Sequence, residues 1–447
     1  MKVLRMGAGA GFQGDRIAPA VDLAERGKLD YLIFECLGER TIANAQQARS
    51  ADPSNGYDPL LERRMRAVLP ACARNGTRIV TNMGAANPAA AAERTLAVAR
   101  ELGLFGLKVA AVTGDDVLDR IGGFVLDETG SAAAALGDRL VSANAYIGID
   151  GLVAALDAGA DVVICGRASD PSLFLAPLVH EFGWARDDWT RLGRGILVGH
   201  LLECAAQITG GYFADPGKKD VPDLANVGHP LAEVNSDGDA VITKLEGTGG
   251  LVSRATCIEQ MLYEIHDPAR YLQPDVVADF SNVQFEEVGQ DRVAVTGAAG
   301  TPATGLLKVS VGYRDGWFGE GQISYAGANC VARGNLAITL VRERLARFSG
   351  SILDERGELV GVNSVWPSTT GRGDPAEVRM RYAARCLDLH TAQAIGEEVE
   401  GLYLAGPAGG GGVTRSTREV LAIASTLMPA DSVAATCAMK EVQHETV

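Results

Sequence analysis

The chain begins with MKVLRMGAGAGFQGDR (residues 1–16), a short apolar run that leads into closely spaced glycines. An amphipathic segment, APAVDLAERG (18–27), follows. This order is typical of the first strand, turn and helix of a parallel sheet. The glycines approximate the dinucleotide fingerprint G-x-G-x-x-G, but Phe12 occupies the place of the third glycine. A tight strand-to-helix turn is therefore the stronger interpretation, and a nucleotide site is the second.

The same alternation continues through the first half of the chain. Short apolar runs rich in Val, Ile and Leu predict strands that are buried on both faces. They are KVLRMG (2–7), YLIFECL (31–37), RIVTNMG (78–84), LKVAAVTG (107–114) and DVVICGR (161–167). Amphipathic segments lie between them, and several end at glycine, a common helix stop. Strands that alternate with helices predict right-handed β-α-β units and a parallel sheet.

The pattern changes after residue 209, where TGGYFADPGKKDVPD is dense in Gly, Asp and Pro. From residue 240 the strands look half-buried and sequential, which favours antiparallel pairing. We therefore predict an α/β protein: an N-terminal, mostly parallel sheet with flanking helices, then a C-terminal α+β domain. The predicted bounds are 1–209 for the parallel domain, 210–240 for a connecting loop region, 241–430 for the α+β domain and 431–447 for a tail.

Composition excludes several classes of partner. The 447 residues carry 41 basic and 56 acidic side chains, a net charge of −15, and only 6% aromatic residues. This balance argues against nucleic acid and anionic membranes as partners. The apolar stretches are too short to span a bilayer, the start of the chain lacks a signal-peptide core, and eight cysteines are scattered singly. We expect a cytoplasmic protein with reduced thiols, an anionic small-molecule substrate, and a homo-oligomer as an open option.

Small residues and polar side chains occur together at the carboxyl end of each predicted parallel strand, where ligands bind in such sheets. They are Gly9, Gly11, Asp15, Glu35, Asn82, Asp115, Asp116, Arg167 and Asp170. If the strands are neighbours, these groups converge on one rim. Arg167 is a candidate clamp for a carboxylate or phosphate, or simply an ion-pair partner of Asp170. Asp115 and Asp116 are candidates for binding a divalent cation, or for capping a helix that begins at VLDR (117–120).

Two further segments carry candidate chemistry. His200 and Glu203 are spaced i, i+3 on a predicted helix, which suits acid/base work or half of a metal site, although a packed core histidine is the commoner outcome. In AGPAGGGGVTRSTRE (405–419), four glycines lead into a predicted helix. We expect Gly409, Gly410, Gly411 and Gly412 with Arg415 and Arg418 to bind a diphosphate, phosphopantetheine or carboxylate. The alternative is a flexible hinge with solvated arginines.

The chain also resembles a known family through motifs in order along almost its whole length. They include GAGAGFQGDR, DYLIFECLGERT, GYDPLLERRMRAVLP, IVTNMGAANP, GRASDPSLFLAPLVHEFGW, GHLLECAAQITGGYFADPG and AGPAGGGGVTRSTREV. These resemble the acyclic terpene utilisation family, AtuA. The resemblance implies a place in a pathway that degrades acyclic isoprenoids through acyl-CoA intermediates.

These observations together predict a catabolic lyase or hydratase that acts on a branched acyl-CoA or a related carboxylic acid. Glu35, Asp115, Asp116, His200 and Glu203 are the candidate acid/base groups or metal ligands. The coenzyme A moiety would be part of the substrate, and a divalent metal is a candidate cofactor. Two alternatives stay open: an NAD(P)-dependent oxidoreductase that uses the opening glycines, and a non-catalytic subunit of an acyl-CoA-processing complex.

Overall fold

The structure is a computed structural model that describes residues 2–366 and 375–443. The chain forms two compact units: Met1–Gly312 with Ile423–Val447, and Tyr313–Ala422. The first unit therefore contains both the N-terminal and the C-terminal segments, and the second unit lies between them in the sequence. The predicted bounds at 209 and 241 fall inside the first unit instead.

Strands occupy both units. They are β1 (Val3–Ala10), β2 (Tyr31–Phe34), β3 (Arg78–Thr81), β4 (Lys108–Thr113), β5 (Leu140–Ala145), β6 (Val162–Cys165), β7 (Pro230–Asn235), β8 (Ala240–Lys244), β9 (Tyr271–Leu272), β10 (Val277–Asp279), β11 (Gln284–Gly289), β12 (Arg292–Thr296), β13 (Ala299–Thr301), β14 (Leu306–Ala326), β15 (Ile352–Val360), β16 (Glu377–Cys386), β17 (Gly411–Pro429) and β18 (Thr436–Glu441).

Helices cover the predicted amphipathic segments. They are α1 (Ala18–Arg26), α2 (Glu39–Ala51), α3 (Leu61–Asn75), α4 (Pro88–Glu101), α5 (Asp150–Asp157), α6 (Ser172–Phe182), α7 (Trp189–Glu203), α8 (Arg254–Leu262), α9 (Cys330–Leu345), α10 (Leu389–Glu400) and α11 (Leu402–Ala405).

A ten-stranded mixed sheet forms the centre of the first unit, in the order β11-β12-β8-β7-β1-β2-β3-β6-β4-β18. Its middle five strands, β1-β2-β3-β6-β4, pair in parallel, as the five apolar runs predict. Antiparallel strands extend both edges: β7 pairs with β1, and β18 pairs with β4. The prediction of an α/β fold with a parallel sheet is therefore confirmed for the middle of the sheet.

The strand side chains alternate between two cores on the opposite faces of this sheet. Met6, Ile33 and Val163 join one core, which packs against α5, α6 and α7. Leu32 and Ile164 join the other, which packs against α1, α3 and α4. Burial on both faces accounts for the uninterrupted apolar runs, because neither face needs polar residues.

Two segments of the first unit differ from the prediction because of strand pairing. The composition change near residue 209 does not end the domain, since β7 and β8 add antiparallel strands to the same sheet. Residues 436–441, predicted as part of a tail, form the edge strand β18. A helix beginning at VLDR (117–120) is also wrong: the segment holds turns and a short 3-10 turn, Ile121–Gly123.

The second unit has a sheet in the order β15-β16-β14-β17, in which β16 pairs antiparallel with β14 and β15, and its core packs against α9 and α10. The predicted strand EVRMRYAARCL corresponds to β16. The predicted helix after the glycines at 409–412 is wrong, because Gly411–Pro429 is strand β17. The segment is rich in Val, Thr and Ile, which favour strands, and pairing with β14 outweighs the local helix signals.

Candidate functional site

A cavity of about 1420 Å³ lies in the first unit, at the carboxyl ends of β1, β2 and β6. Three segments that follow these strands line it, 11–15, 35–41 and 167–171, with the exception of residue 168. Further lining comes from residues near 203–212, 263–274, 304–308 and 425–427. This is the position at which parallel α/β sheets bind ligands.

Arg167 is a fully buried cation in the wall of this cavity, with 2% of its side chain exposed. Its guanidinium lies over the Tyr146 ring, 4.0 Å from the centroid, and pairs with Asp170 at 3.1 Å. Burial opposes the charge of Arg167, but Asp170 and Tyr146 hold its pKa above the ordinary value. Within the described part of the chain, Nε has no hydrogen-bond partner, whereas Nη1 is the nitrogen that pairs with Asp170. A buried cation with an unused donor has capacity to bind an anionic group.

Glu35 follows β2 directly and lines the same cavity. Its Oε1 accepts hydrogen bonds from Asn82 Nδ2 at 3.0 Å and from the Leu37 amide at 2.8 Å. Burial, together with repulsion from Asp170, raises the pKa of Glu35 to about 8. At neutral pH this side chain is therefore a carboxylic acid, and because Oε1 accepts both bonds, its proton lies on Oε2.

His200 and Glu203 lie one turn apart on α7, as their spacing predicts, and His200 Nδ1 is 3.0 Å from Glu203 Oε1. The other ring nitrogen, Nε2, lies 3.1 Å from the Met261 carbonyl oxygen and so must carry a proton. Burial lowers the pKa of His200 to about 4, which leaves Nδ1 as a hydrogen-bond acceptor at neutral pH.

The tautomer of His200 decides the state of its partner. An ionised carboxylate has no proton to donate to an acceptor nitrogen, so the contact requires a proton on Oε1 of Glu203. Burial and the nearby Asp170 raise the pKa of Glu203 well above its ordinary value, in agreement. Among the described residues, Glu203 Oε2 has no hydrogen-bond partner, and Glu203 lines the cavity. His200 itself is a buried residue behind it.

Asp115 and Asp116 stand behind the cavity wall. The buried Asp115 accepts hydrogen bonds from the Arg167 amide at 2.9 Å and from Asn144 at 2.8 Å, which fixes the backbone that carries the Arg167 side chain. Burial raises the pKa of Asp115 to about 6. Asp116 accepts a hydrogen bond from Gln46 at 3.1 Å. These contacts make Asp115 a positioning residue for Arg167.

The opening glycines serve close packing. A Cβ on Gly9 would lie 2.6 Å from the Phe34 ring, and one on Gly11 would lie 2.5 Å from the Cys204 backbone. The amides of Gly11 and Arg16 donate to the Asp15 carboxylate at 2.9 Å and 2.7 Å. Asp15 thus occupies the donors that a phosphate would need, so the glycine turn does not support a dinucleotide site.

The residues predicted as an anion site at 409–418 belong to the second unit. Arg415 is half exposed and pairs with Glu400 at 3.3 Å, and Arg418 lies over the Phe318 ring at 4.3 Å. Because the segment is a strand, no helix start presents amide donors there, and the two arginines are not on one helical face. The physical reason for expecting a phosphate at this segment is therefore removed.

Sequence reasoning overlooked many polar side chains of the cavity wall, including Glu39, Tyr146, Tyr271 and Lys308. Tyr146 donates a short hydrogen bond to Glu39, which also pairs with Lys308 at 3.0 Å. Although burial opposes it, the bond from Tyr146 and the charge of Arg167 lower the pKa of Glu39 to about 2. Tyr146 follows β5, a strand that the apolar runs did not indicate and that pairs with β14 instead of the parallel strands.

Two features are absent from the described residues. No group of three or more His, Cys, Asp or Glu side chains within 2–366 and 375–443 is arranged to hold a metal ion. In the same part of the chain, no helix combines the length and the apolar character needed to cross a membrane.

The fold and the cavity define an α/β protein with a ligand-type pocket at the carboxyl ends of its parallel strands. The chain belongs to the acyclic terpene utilisation family: the family model described as acyclic terpene utilisation family protein AtuA matches residues 4–439. This confirms the resemblance seen in the sequence motifs, and membership suggests a role in terpene catabolism. No curated protein and no solved structure gave a significant match.

Proposed function

We propose that this chain is a proton-transfer enzyme of terpene catabolism, a lyase or hydratase that acts on a branched carboxylic acid or its coenzyme A thioester. One observation carries the proposal. Arg167 is buried in the cavity wall with an unused donor at Nε, beside two carboxyl groups, Glu35 and Glu203, that keep their protons at neutral pH. A cation with neutral acids around it is suited to bind an acid and to move protons on it.

Arg167 supplies the binding site for the substrate's carboxylate or thioester oxygen. Asp170 neutralises part of its charge, and Tyr146 covers one face of the guanidinium. The backbone is held by Asp115, so the guanidinium is positioned before the ligand arrives. The cavity exceeds the roughly 300–1,000 Å³ of common small-molecule pockets, which leaves room for a branched chain.

Glu35 is the candidate general acid. Its proton lies on Oε2, and the bonds from Asn82 and the Leu37 amide hold Oε1 in place. A carboxylic acid with a pKa near the working pH can give its proton to a leaving hydroxyl group and take one back.

Glu203 and His200 form the candidate proton acceptor. As Glu203 Oε2 takes the proton from the carbon beside the substrate carboxyl, the proton on Oε1 passes to His200 Nδ1. The pair gains one proton in total and leaves an imidazolium. The two histidine contacts, to Glu203 and to the Met261 carbonyl oxygen, already have the geometry for this transfer.

The combined reaction is a dehydration or, in reverse, a hydration. The C–H bond beside the carboxyl breaks, the C–O bond of a β-hydroxyl breaks, and a C=C bond forms. The hydroxyl leaves as water with the proton of Glu35, and the C–H proton stays on Glu203 and His200. Return of that proton to Glu35 completes the cycle.

Ligand binding is tested by thermal unfolding of the whole chain. The ligands are 3,7-dimethyl-2,6-octadienoic acid, its coenzyme A thioester, coenzyme A, NAD and NADP. We expect the acid or its thioester to raise the unfolding midpoint, because a ligand of the folded state stabilises it by mass action, by about 2.7 kcal/mol at a hundredfold excess over Kd. Arg167→Gln should lose the shift, and Arg415→Ala should keep it. A shift with NAD or NADP alone would favour the oxidoreductase.

Proton transfer is tested with the 3-hydroxy acid formed by adding water to the 2,3-double bond of 3,7-dimethyl-2,6-octadienoic acid, by exchange of the proton beside its carboxyl in D2O, followed by NMR. We expect Glu203→Gln to lower the exchange rate at least a hundredfold, since general acid/base groups contribute about 10²–10⁴. The glutamine amide still donates to His200 Nδ1 but transfers no proton. If the wild type binds the acid without exchange or turnover, a non-catalytic subunit is the better assignment.

A further inference from the structure

Large apolar side chains in the cavity wall are exposed to solvent, although the innermost residues are polar. Phe12, Tyr212, Leu272, Leu306 and Leu427 all line the cavity, and their exposed fractions run from 42% for Leu306 to 89% for Tyr212. We call these five residues the apolar entrance. Soluble proteins seldom expose apolar groups together unless the patch binds something.

The buried and the exposed parts of the cavity wall offer different contacts. The buried positions include Arg167, Glu35 and Glu203, which are charged or titratable groups. The exposed positions include the apolar entrance, together with charged side chains such as Glu264 and Lys308. A ligand with an anionic head and a hydrocarbon chain matches this order, because its head reaches Arg167 and its chain stays over the entrance.

Backbone strain at the entrance is a second, independent observation. Tyr212 has a φ of 61° and Glu264 a φ of 60°, both in the left-handed region that L residues seldom adopt. The Tyr212 ring meets the Tyr263 ring edge to face, with centroids 6.5 Å apart. Such conformations cost on the order of 1–3 kcal/mol and cluster at ligand sites. The strain places an aromatic ring in solvent at the edge of the cavity.

We propose that the apolar entrance binds the aliphatic chain of an amphiphilic acid and selects for chain length. The inference rests on the proposed function only in that Arg167 binds the acid head. Covering the chain removes apolar surface of both ligand and entrance from water. Each buried methylene then tightens binding about fourfold.

The test is isothermal titration of the whole chain with sodium salts of straight-chain acids from butanoate to dodecanoate. We expect Kd to fall about fourfold per added methylene over several members of the series. Leu272→Ser and Tyr212→Asn should flatten this dependence while leaving the affinity for butanoate unchanged. Asparagine suits the left-handed backbone at 212. Leu404→Ser is the matched control, since Leu404 is 99% exposed and does not line the cavity.

The outcomes separate this proposal from the proposed function. If butanoate binds and Arg167→Gln abolishes it, but longer acids bind no better, the entrance proposal is overturned and the head site stands. If Arg167→Gln leaves a chain-length dependence that Leu272→Ser removes, the entrance is supported and the head site fails. If Leu272→Ser instead lowers the sedimentation mass or abolishes binding to phosphatidylcholine vesicles, with no effect on the acids, the entrance serves a second copy or a membrane and the proposal is wrong.

Discussion

Glu35→Gln is the most informative single substitution, because it separates the charge of the side chain from its shape. Glutamine keeps an oxygen for the bonds from Asn82 and the Leu37 amide, and its NH₂ group replaces the O–H of the neutral acid. If Glu35 holds a proton in the folded protein, the variant should retain the contacts of the wild type and remove only the cost of keeping that proton.

The magnitude follows from the pKa. Burial and Asp170 raise the pKa of Glu35 from 4.5 to about 8, so the folded protein holds a proton that the unfolded chain releases above pH 4.5. The wild type therefore loses stability as pH rises from 4.5 towards 8, at about 1.4 kcal/mol per pH unit. Over the roughly 2.5 units up to pH 7 the loss is about 3 kcal/mol. Glutamine does not titrate, so the variant should gain about 3 kcal/mol relative to the wild type over the same interval.

Urea unfolding at pH 5, 6, 7 and 8 measures this difference. Trp184 and Trp189 lie in the first unit and report on its unfolding by fluorescence. The control is Glu25→Gln, which removes one carboxyl group from the exposed surface. Parallel stability curves for Glu35→Gln and the wild type would refute the reasoning, because they would mean that Glu35 ionises in the folded protein as it does in the unfolded chain. The same variant should lose dehydration activity, since an amide cannot protonate the leaving hydroxyl group.

Three further substitutions test the interpretation of neighbouring segments. Arg64→Met should lower the free energy of unfolding by about 3 kcal/mol, because it leaves the buried Asp58, 3.2 Å from Arg64 Nη1, without its counter-charge. Urea unfolding measures this loss, and a loss no larger than that of an exposed ion pair would show that Arg64 and Asp58 do not stabilise each other. Gly11→Ala should cost about 1–3 kcal/mol in the same assay, since its Cβ would overlap the Cys204 backbone, and unchanged stability would revive a role for this glycine in ligand binding. Arg415→Ala should change the free energy of unfolding by less than about 1 kcal/mol, because its ion pair is half exposed. The ligand-induced thermal shift should stay intact, and loss of the shift with the coenzyme A thioester alone would support a phosphate site in this segment.

The local pattern of the sequence was sufficient to predict the strands in the middle of the large sheet. Runs such as YLIFECL and DVVICGR predict strands buried on both faces, and the structure places β2 and β6 there. The reason is physical: a strand covered by helices on both sides has no polar face, so its consecutive residues are all apolar and the pattern is visible locally. The expectation that ligands bind at the carboxyl ends of parallel strands also pointed to Glu35 and Arg167, since both residues come at or just after the end of such a strand.

Long-range pairing decided what local signals left undetermined. Residues 413–419 have glycines before them and arginines three apart, which resemble a helix start, yet they form part of β17 because β14 supplies a partner strand. Residues 436–441 likewise become an edge strand through pairing with β4, more than 300 positions earlier. Such pairing depends on a strand remote in sequence, so no window of neighbouring residues carries it.

For the candidate site, too, some properties follow from the order of residues and others from the folded chain. The order of residues establishes which residue types follow the parallel strands, including the carboxyl of Glu35 and the guanidinium of Arg167. The protonation states of the site depend on the folded chain: burial keeps the proton on Glu35, the Met261 carbonyl fixes the tautomer of His200, and that tautomer places a proton on Glu203. Protonation follows from desolvation and from partners distant along the chain, and these exist only once the chain is folded.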